Sequence, residues 1–168
     1  MTKRAPLVHI VDDDPAIRDA LAWLFSTRQV NTELWDSGEA FLHALSPETQ
    51  GCILLDIRMD GLSGLEVFEQ LRERQSLLPV IFLTGHGDLP LAVNALKQGA
   101  ADFIEKPFND NDLVDRVLDV LRSYEASQEE RDNEQALEER LDTLSQRDRQ
   151  QFAAELDKWL LEVKRRPA

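Results

Sequence analysis

Five short runs within the first 105 residues have hydrophobic patterns that predict β-strands. Most are apolar and rich in β-branched residues, which is typical of strands buried on both faces, whereas the second alternates like a half-buried strand. The predicted strands are Leu7–Val11, Asn31–Asp36, Cys52–Asp56, Val80–Thr84 and Asp102–Glu105.

Each run is followed by a stretch with apolar residues at helical spacing. Asp14 and Ser37 are predicted N-caps of the first two helices, and Gly99 is predicted to close the fourth. The third helix is predicted from Leu65 to about Arg74. Strands that alternate with amphipathic helices predict an α/β fold, a doubly wound five-stranded parallel sheet with its functional crevice at the carboxyl ends of the strands.

Composition restricts the environment and the partners of the chain. The formal net charge is −13, so the chain is repelled by nucleic acid unless a separate basic element exists. No apolar run approaches the roughly 20 residues of a membrane span, and no signal-peptide core is present. The single cysteine, Cys52, excludes an internal disulfide, and we expect it to be a small buried apolar residue in a cytoplasmic protein without a membrane partner.

Charged and hydroxyl side chains cluster in the sequence where strands are predicted to end. They are Asp12, Asp13 and Asp14 after the first strand, Asp56 at the end of the third, Thr84 at the end of the fourth and Lys106 after the fifth. Because crowded carboxylates repel one another, they need a cation, and Mg²⁺ is the oxygen-seeking dication that suits them best. A dication, a lysine and a hydroxyl beside one carboxylate are suited to hold a phosphoryl group, with Asp56 as the nucleophile.

Each of these residues also has a simpler interpretation. Asp14 is a natural helix cap, a single aspartate at a strand end is often a turn former, and Thr84 alone is an ordinary β-branched strand residue. Their predicted convergence at one edge of the sheet favours the functional interpretation.

Three stretches, VHIVDDDPAIRDAL, LLDIRM with GLSGLEV, and VIFLTGHGDLPLAVNALKQGAADFIEKPF, resemble the receiver domain of bacterial two-component response regulators. The resemblance runs from about Leu7 to Leu121 and is greatest with FixJ-type regulators, in which a LuxR-type DNA-binding domain follows the receiver. It implies a CheY-like sheet with strand order 2-1-3-4-5 and a receiver domain over residues 1–124.

The resemblance also implies a set of metal ligands. Asp12, Asp13 and Asp56 would bind Mg²⁺ together with the backbone carbonyl of Arg58, and Asp13 would be a more direct ligand than Asp12. One departure lies nearby, since the family usually has proline after the methionine of this loop, where this chain has Asp60 and then Gly61. The Asp60 carboxylate either acts on the metal or phosphoryl chemistry or points into water, and Gly61 loosens the loop.

The remaining implied roles concern the phosphoryl group and the response to it. Asp56 would be the phosphoacceptor, Thr84 would hydrogen-bond the phosphoryl group, and Lys106 would form an ion pair with it. Thr84 and Phe103 would form the switch, in which the Phe103 ring turns inward on activation. Without the resemblance, Phe103 is equally well interpreted as a core residue.

Residues 125–168 are predicted to form a helical linker or tail. Leu137, Leu141 and Leu144 have the 4–3 spacing of a coiled-coil seam, although a solvated linker helix explains them equally well. TLSQRDRQ resembles the opening of a LuxR-type domain, but the residues after it predict only one amphipathic helix, so no complete DNA-binding domain is expected. The output region is either truncated or replaced, or the protein ends naturally in a helical tail. The apolar face of the final helix comprises Phe152, Leu156, Trp159, Leu160 and Val163.

The leading hypothesis is a response regulator of a two-component phosphorelay, not an enzyme with a diffusible substrate. Its partners would be a sensor histidine kinase, a second copy of the chain after phosphorylation, and DNA only where the parent protein has a full output domain. One alternative is a magnesium-dependent phosphatase with an aspartyl nucleophile. The resemblance to such enzymes is incomplete, because Arg58 occupies the position of the second acid in their Asp-x-Asp pattern. Another is a dimerisation or scaffold module that works through its helical tail.

Overall fold

The computed structural model of the chain describes residues 6–85, 87–142, 153–159 and 161. Five parallel strands form one sheet in the order β2-β1-β3-β4-β5, which confirms the predicted strand order. The strands are β1 (Leu7–Val11), β2 (Asn31–Trp35), β3 (Cys52–Asp56), β4 (Val80–Thr84) and β5 (Asp102–Glu105).

A helix follows each strand, and helices are the usual connections between parallel strands. The helices are α1 (Pro15–Ser26), α2 (Gly38–Ala44), α3 (Gly64–Glu73), α4 (Leu89–Lys97) and α5 (Asp110–Asp142). No helix in the described part of the chain is both long enough and apolar enough to cross a membrane.

The two faces of the sheet are covered by different helices, so the doubly wound prediction is confirmed. Side chains from β1, β3, β4 and β5 pack with those of α1 and α5 in one core cluster. Side chains from β1, β3 and β4 pack with those of α2, α3 and α4 in the other. Cys52 is fully buried, and this burial raises the pKa of its thiol to about 12, which confirms the expected apolar role.

The local signals that predicted the helix ends are confirmed in three helices. The Asp14 carboxylate accepts a hydrogen bond from the Ala16 N–H at 2.9 Å, and the Ser37 hydroxyl accepts one from Ala40. Gly99 has a φ of +112° directly after the last residues of α4, a conformation that favours glycine. α3 begins at Gly64, one residue before the prediction, because Ser63 and Glu66 form a reciprocal capping box.

The long helix α5 continues through Asp142, which confirms that the linker extends the fifth helix. Residues 153–159 are also helical, and the side chains of Leu156 and Trp159 are exposed. The other apolar positions predicted for the tail, Leu144, Phe152, Leu160 and Val163, lie outside the described residues. The chain divides into two compact units, Met1–Ala126 and Ser127–Ala168.

Candidate functional site

The carboxyl ends of the strands bring the predicted site residues to one edge of the sheet. Asp56 is the last residue of β3 and pairs in register with Leu83, the residue before Thr84 at the end of β4. The Lys106 N–H, just past β5, donates to the Thr84 carbonyl at 2.8 Å. The backbone hydrogen bonds of the sheet therefore fix the relative positions of Asp56, Thr84 and Lys106 along the strand direction.

Three carboxylates converge at this edge. Asp12, Asp13 and Asp56 each contribute an oxygen, and these oxygens lie within 4.8 Å of one another. Asp12 is fully buried and Asp56 is 7% exposed, so the desolvated negative charges repel one another strongly. This donor set fits a hard divalent cation with oxygen ligands.

Lys106 lies between two of the carboxylates. Its Nζ is 3.5 Å from Asp56 Oδ2 and 3.7 Å from Asp12 Oδ2. These distances are long for a closed ion pair, and the ammonium remains partly exposed. The lysine can therefore partly neutralise both acids and still reach an anion bound between them.

The protonation of the acids reflects their burial. Desolvation and the neighbouring Asp12 charge raise the pKa of Asp56 to about 6, against the opposing effect of Lys106. Burial likewise raises the pKa of Asp12, although the Asp14 N–H and Lys106 act in the opposite direction. Both acids thus lack sufficient positive charge from the described residues, as expected of a site that recruits a cation.

Two buried polar atoms at this edge accept or donate no hydrogen bond among the described residues. They are Asp12 Oδ2 and Thr84 Oγ1. Buried oxygens without a hydrogen-bond partner are costly, and these two lie at the ends of β1 and β4, on either side of β3 and Asp56, which suits a site that binds a charged group. The other oxygen of Asp12 is occupied, since Oδ1 accepts from the Asp14 N–H at 2.9 Å. The donor set and the two atoms without a hydrogen-bond partner together fit Mg²⁺ with a phosphoryl group.

The loop after β3 contributes backbone groups to the site. The Arg58 N–H donates to Asp56 Oδ1 at 3.4 Å, and the Asp60 N–H donates to Asp13 Oδ2 at 2.9 Å. The Asp60 side chain is exposed and is absent from the carboxylate cluster formed by the described residues. Gly61, the residue after Asp60, has a φ of +76°, a left-handed conformation that favours glycine.

Phe103 lies on β5 and is half-buried against the core cluster that contains α3 and α4. Its N–H is bonded to Asp102 Oδ1, and its carbonyl accepts from Arg116 Nη2 at 2.8 Å. The backbone of Phe103 is therefore held on both sides while the ring is only partly enclosed.

Sequence reasoning missed Asp88, which is nearly fully buried just before α4. Its carboxylate accepts hydrogen bonds from Arg58 Nε at 2.9 and 2.8 Å and from Nη2 at 2.6 Å. An aspartate that precedes a Leu-Pro helix start has the pattern of an N-cap, which gave no sign of a partner 30 residues away.

These features define a carboxylate-rich site at the carboxyl edge of a doubly wound sheet, and comparison with known proteins identifies the class of domain that carries it. The family model described as the response regulator receiver domain matches residues 8–118. The chain belongs to the response regulator receiver domain family.

Similar proteins include two transcriptional regulators. The chain is 48% identical over 120 residues to the C4-dicarboxylate transport transcriptional regulatory protein DctR of Rhodobacter capsulatus, covering 70% of this chain and 61% of DctR. It is 46% identical over 144 residues to the transcriptional regulatory protein FixJ of Azorhizobium caulinodans, covering 85% of this chain and 68% of FixJ. Crystallised full-length FixJ from B. japonicum superposes with a TM-score of 0.70 at 38% identity, covering 88% of this chain and 73% of that one. The chain thus spans about two thirds of the length of these regulators.

Proposed function

We propose that the chain is the receiver of a two-component phosphorelay in which Asp56 accepts a phosphoryl group from the phosphohistidine of a sensor histidine kinase. The observation that carries this proposal is the convergence of Asp56 with Asp12, Asp13 and Lys106 at one edge of the sheet. The membership of the receiver family and the resemblance to DctR and FixJ support it.

Each residue has a role that follows from its position. When bound by Asp12, Asp13, Asp56 and the Arg58 carbonyl, Mg²⁺ would neutralise the charge that develops on the phosphoryl oxygens. An Asp56 carboxylate oxygen attacks phosphorus as the bond to the histidine nitrogen breaks, and the electron pair of that bond leaves with the imidazole. Lys106 and Thr84 hold the transferred oxygens, which gives the unpaired Thr84 hydroxyl a partner.

The response to phosphorylation would begin at Thr84. A phosphoryl group adds negative charge and acceptor oxygens, which draw Thr84 and Lys106 towards Asp56. Displacement of Thr84 makes room for the partly enclosed ring of Phe103, which lies on the neighbouring strand. The switch would alter the surface formed by α4, β5 and α5 and the tail that continues α5.

We further propose that the whole protein regulates transcription, as the names of the similar proteins DctR and FixJ suggest. In this proposal residues 1–124 form the cytoplasmic receiver, and residues 125–168 form a helical linker that supports homodimerisation after phosphorylation. DNA would be contacted only where a complete output domain is present.

The proposal is tested by incubating the chain with Mg²⁺ and labelled acetyl phosphate, or with a phosphorylated histidine kinase. We expect the wild-type chain to take up one acid-stable, hydroxylamine-sensitive label, and Asp56→Asn to take up none because the nucleophilic oxygen is lost. Glu48→Gln, which removes an exposed acid outside the cluster, is the matched control and should label normally. Labelling of Asp56→Asn at the wild-type level, or sustained turnover of a chromogenic phosphate ester, contradicts the proposal.

A further inference from the structure

The Arg58–Asp88 ion pair joins the loop that follows the phosphoacceptor to the start of α4. Arg58 is two residues after Asp56, and Asp88 is four residues after Thr84. The guanidinium makes three hydrogen bonds of 2.6 to 2.9 Å with the carboxylate. Such bidentate, charge-assisted contacts are stronger and more directional than a single ion pair.

The two side chains of the pair differ widely in their exposure to solvent. The Asp88 side chain is 2% exposed, whereas that of Arg58 is 76% exposed. The hydrogen bonds from Arg58 hold the pKa of Asp88 below its usual range. A nearly buried carboxylate that loses its partner is strongly destabilised, so Asp88 holds Arg58 in place and is held by it.

Asp88 also occupies the N-cap position of α4 but does not cap the helix with its side chain. Aspartate at this position usually accepts a hydrogen bond from an N–H of the first turn, as Asp14 does at the start of α1. The Asp88 carboxylate instead binds the Arg58 guanidinium, so it contacts the loop after β3 and not the first turn of α4.

We propose that the Arg58–Asp88 pair is a latch that stabilises the unphosphorylated arrangement of Thr84 and α4, and thereby lowers the affinity of the site for a phosphoryl group. This inference rests on the proposed function, because it assigns two positioning residues to the same site. A doubly charged phosphoryl group on Asp56 attracts the guanidinium and repels the Asp88 carboxylate, so phosphorylation and the closed latch oppose each other. Opening the latch frees Asp88 to cap α4 and removes a restraint on the segment that follows Thr84.

The decisive variant is the double substitution Arg58→Gln with Asp88→Asn, which breaks the pair without changing the net charge. The affinity for fluoroberyllate, an analogue of the phosphoryl group, is measured in Mg²⁺ by calorimetry. We expect the double variant to bind fluoroberyllate about fivefold more tightly than the wild-type chain does. The reason is that the pair no longer stabilises the unphosphorylated conformation against the conformation that binds the analogue. If Arg58 and Asp88 acted only through their charges, Arg58→Gln and Asp88→Asn alone would change the affinity for fluoroberyllate in opposite directions. These two effects would cancel in the double variant.

The matched control is Arg28→Gln with Asp115→Asn, which removes the exposed ion pair between the turn after α1 and helix α5, whose nitrogen and oxygen lie 3.1 Å apart. Its affinity for fluoroberyllate should equal that of the wild-type chain. If the Arg58 and Asp88 double variant fails to fold, Arg58→Lys replaces the bidentate contact with a single one, and we expect about twofold tighter binding. An unchanged dissociation constant in the folded variant, or equal tightening in the control, overturns the latch.

A second measurement separates failure of the latch from failure of the proposed function. In an Asp56→Asn background, which cannot be phosphorylated, the Arg58 Nε–H should give a slowly exchanging NMR signal that is lost on Asp88→Asn. That result would establish the pair even if the wild-type chain bound no fluoroberyllate, in which case the proposed function alone fails. Rapid exchange of the Arg58 Nε–H in that background would show that the pair is not closed in solution and would overturn the latch.

Discussion

At the scale of the residue, Asp56 is subject to two opposing demands. A nucleophile must be ionised, but the position that brings Asp56 to Asp12 and Lys106 also removes most of its contact with water. Burial and the Asp12 charge raise the pKa of Asp56 to about 6, so the ionised form costs folding free energy at neutral pH in the absence of a metal. The same cost favours cation binding, because a dication stabilises the ionised carboxylate.

Asp56→Asn should therefore stabilise the metal-free chain at neutral pH. The folded pKa lies above the unfolded value of about 4, so Asp56 favours folding at low pH, and this contribution is lost as the pH rises through about 6. The gain from Asp56→Asn should be small at pH 4.5 and should reach about 2 kcal/mol above pH 7. Urea unfolding of the wild-type chain and Asp56→Asn in EDTA, at pH 4.5 and above pH 7, measures this difference in the free energy of unfolding.

The control for this prediction is Asp19→Asn, which alters an exposed carboxylate on α1. Its effect on the free energy of unfolding should stay within about 0.5 kcal/mol at both pH values. A pH-independent effect of Asp56→Asn would show that Asp56 is not the group that titrates.

At the scale of the element, the turn from β3 into α3 determines where Asp56 points. The Gly64 N–H donates to the Ile57 carbonyl at 2.8 Å, while Ser63 and Glu66 cap the helix reciprocally. A Cβ at Gly64 would overlap the backbone carbonyl of Asp56. The start of α3 is thus packed directly against the backbone of the phosphoacceptor, and the glycine permits this close approach.

Gly64→Ala should lower both stability and phosphoryl uptake. The added methyl group meets backbone atoms that cannot move aside without shifting Asp56, so we expect a loss of about 1–3 kcal/mol in the free energy of unfolding. Phosphoryl uptake from acetyl phosphate should fall at a temperature where the variant is still fully folded. Urea unfolding and the labelling rate check the two effects.

Gly85→Ala provides the matched control for stability. Among the described residues, the nearest atom to a Cβ at Gly85 would be Asp88 Oδ2, at 3.8 Å, which is ordinary contact. Its free energy of unfolding should change by less than half of the Gly64→Ala effect. Equal losses in the two variants would mean that a general glycine effect, and not the contact with Asp56, explains the result.

The elements also show how far the sequence alone could predict this site. Strands, helix caps and the positions of Asp56, Thr84 and Lys106 were predictable because they depend on local periodicity and on the shared edge of parallel strands. The predicted start of α3 and the predicted end of β2, at Asp36, each differ from the structure by one residue, and the role of Asp88 is not predicted. The pairing of Asp88 with Arg58 depends on how two loops meet after folding, which no spacing along the chain records.

At the scale of the whole molecule, the buried residues that the structure describes all belong to the first compact unit. The buried residues of the described chain lie between Val8 and Tyr124, and they form the two clusters on either side of the sheet. In residues 125–141, 153–159 and 161, every side chain is exposed or half-buried, and the apolar Leu137, Leu156 and Trp159 are all more than 40% exposed. Among the described residues, the apolar burial that favours folding is therefore concentrated in the first compact unit, Met1–Ala126.

A fragment of residues 1–126 should consequently fold alone and retain phosphoryl uptake at Asp56. None of the buried residues in the described part of the chain lies after position 126, so we expect the urea midpoint to change by less than about 10% and the m-value to stay within error. Urea unfolding and the labelling assay on the fragment and the full chain check both statements, and light scattering compares their masses. A monomeric fragment beside a dimeric full chain would assign self-association to the tail, whereas a large loss of stability would show that the tail contributes to the core.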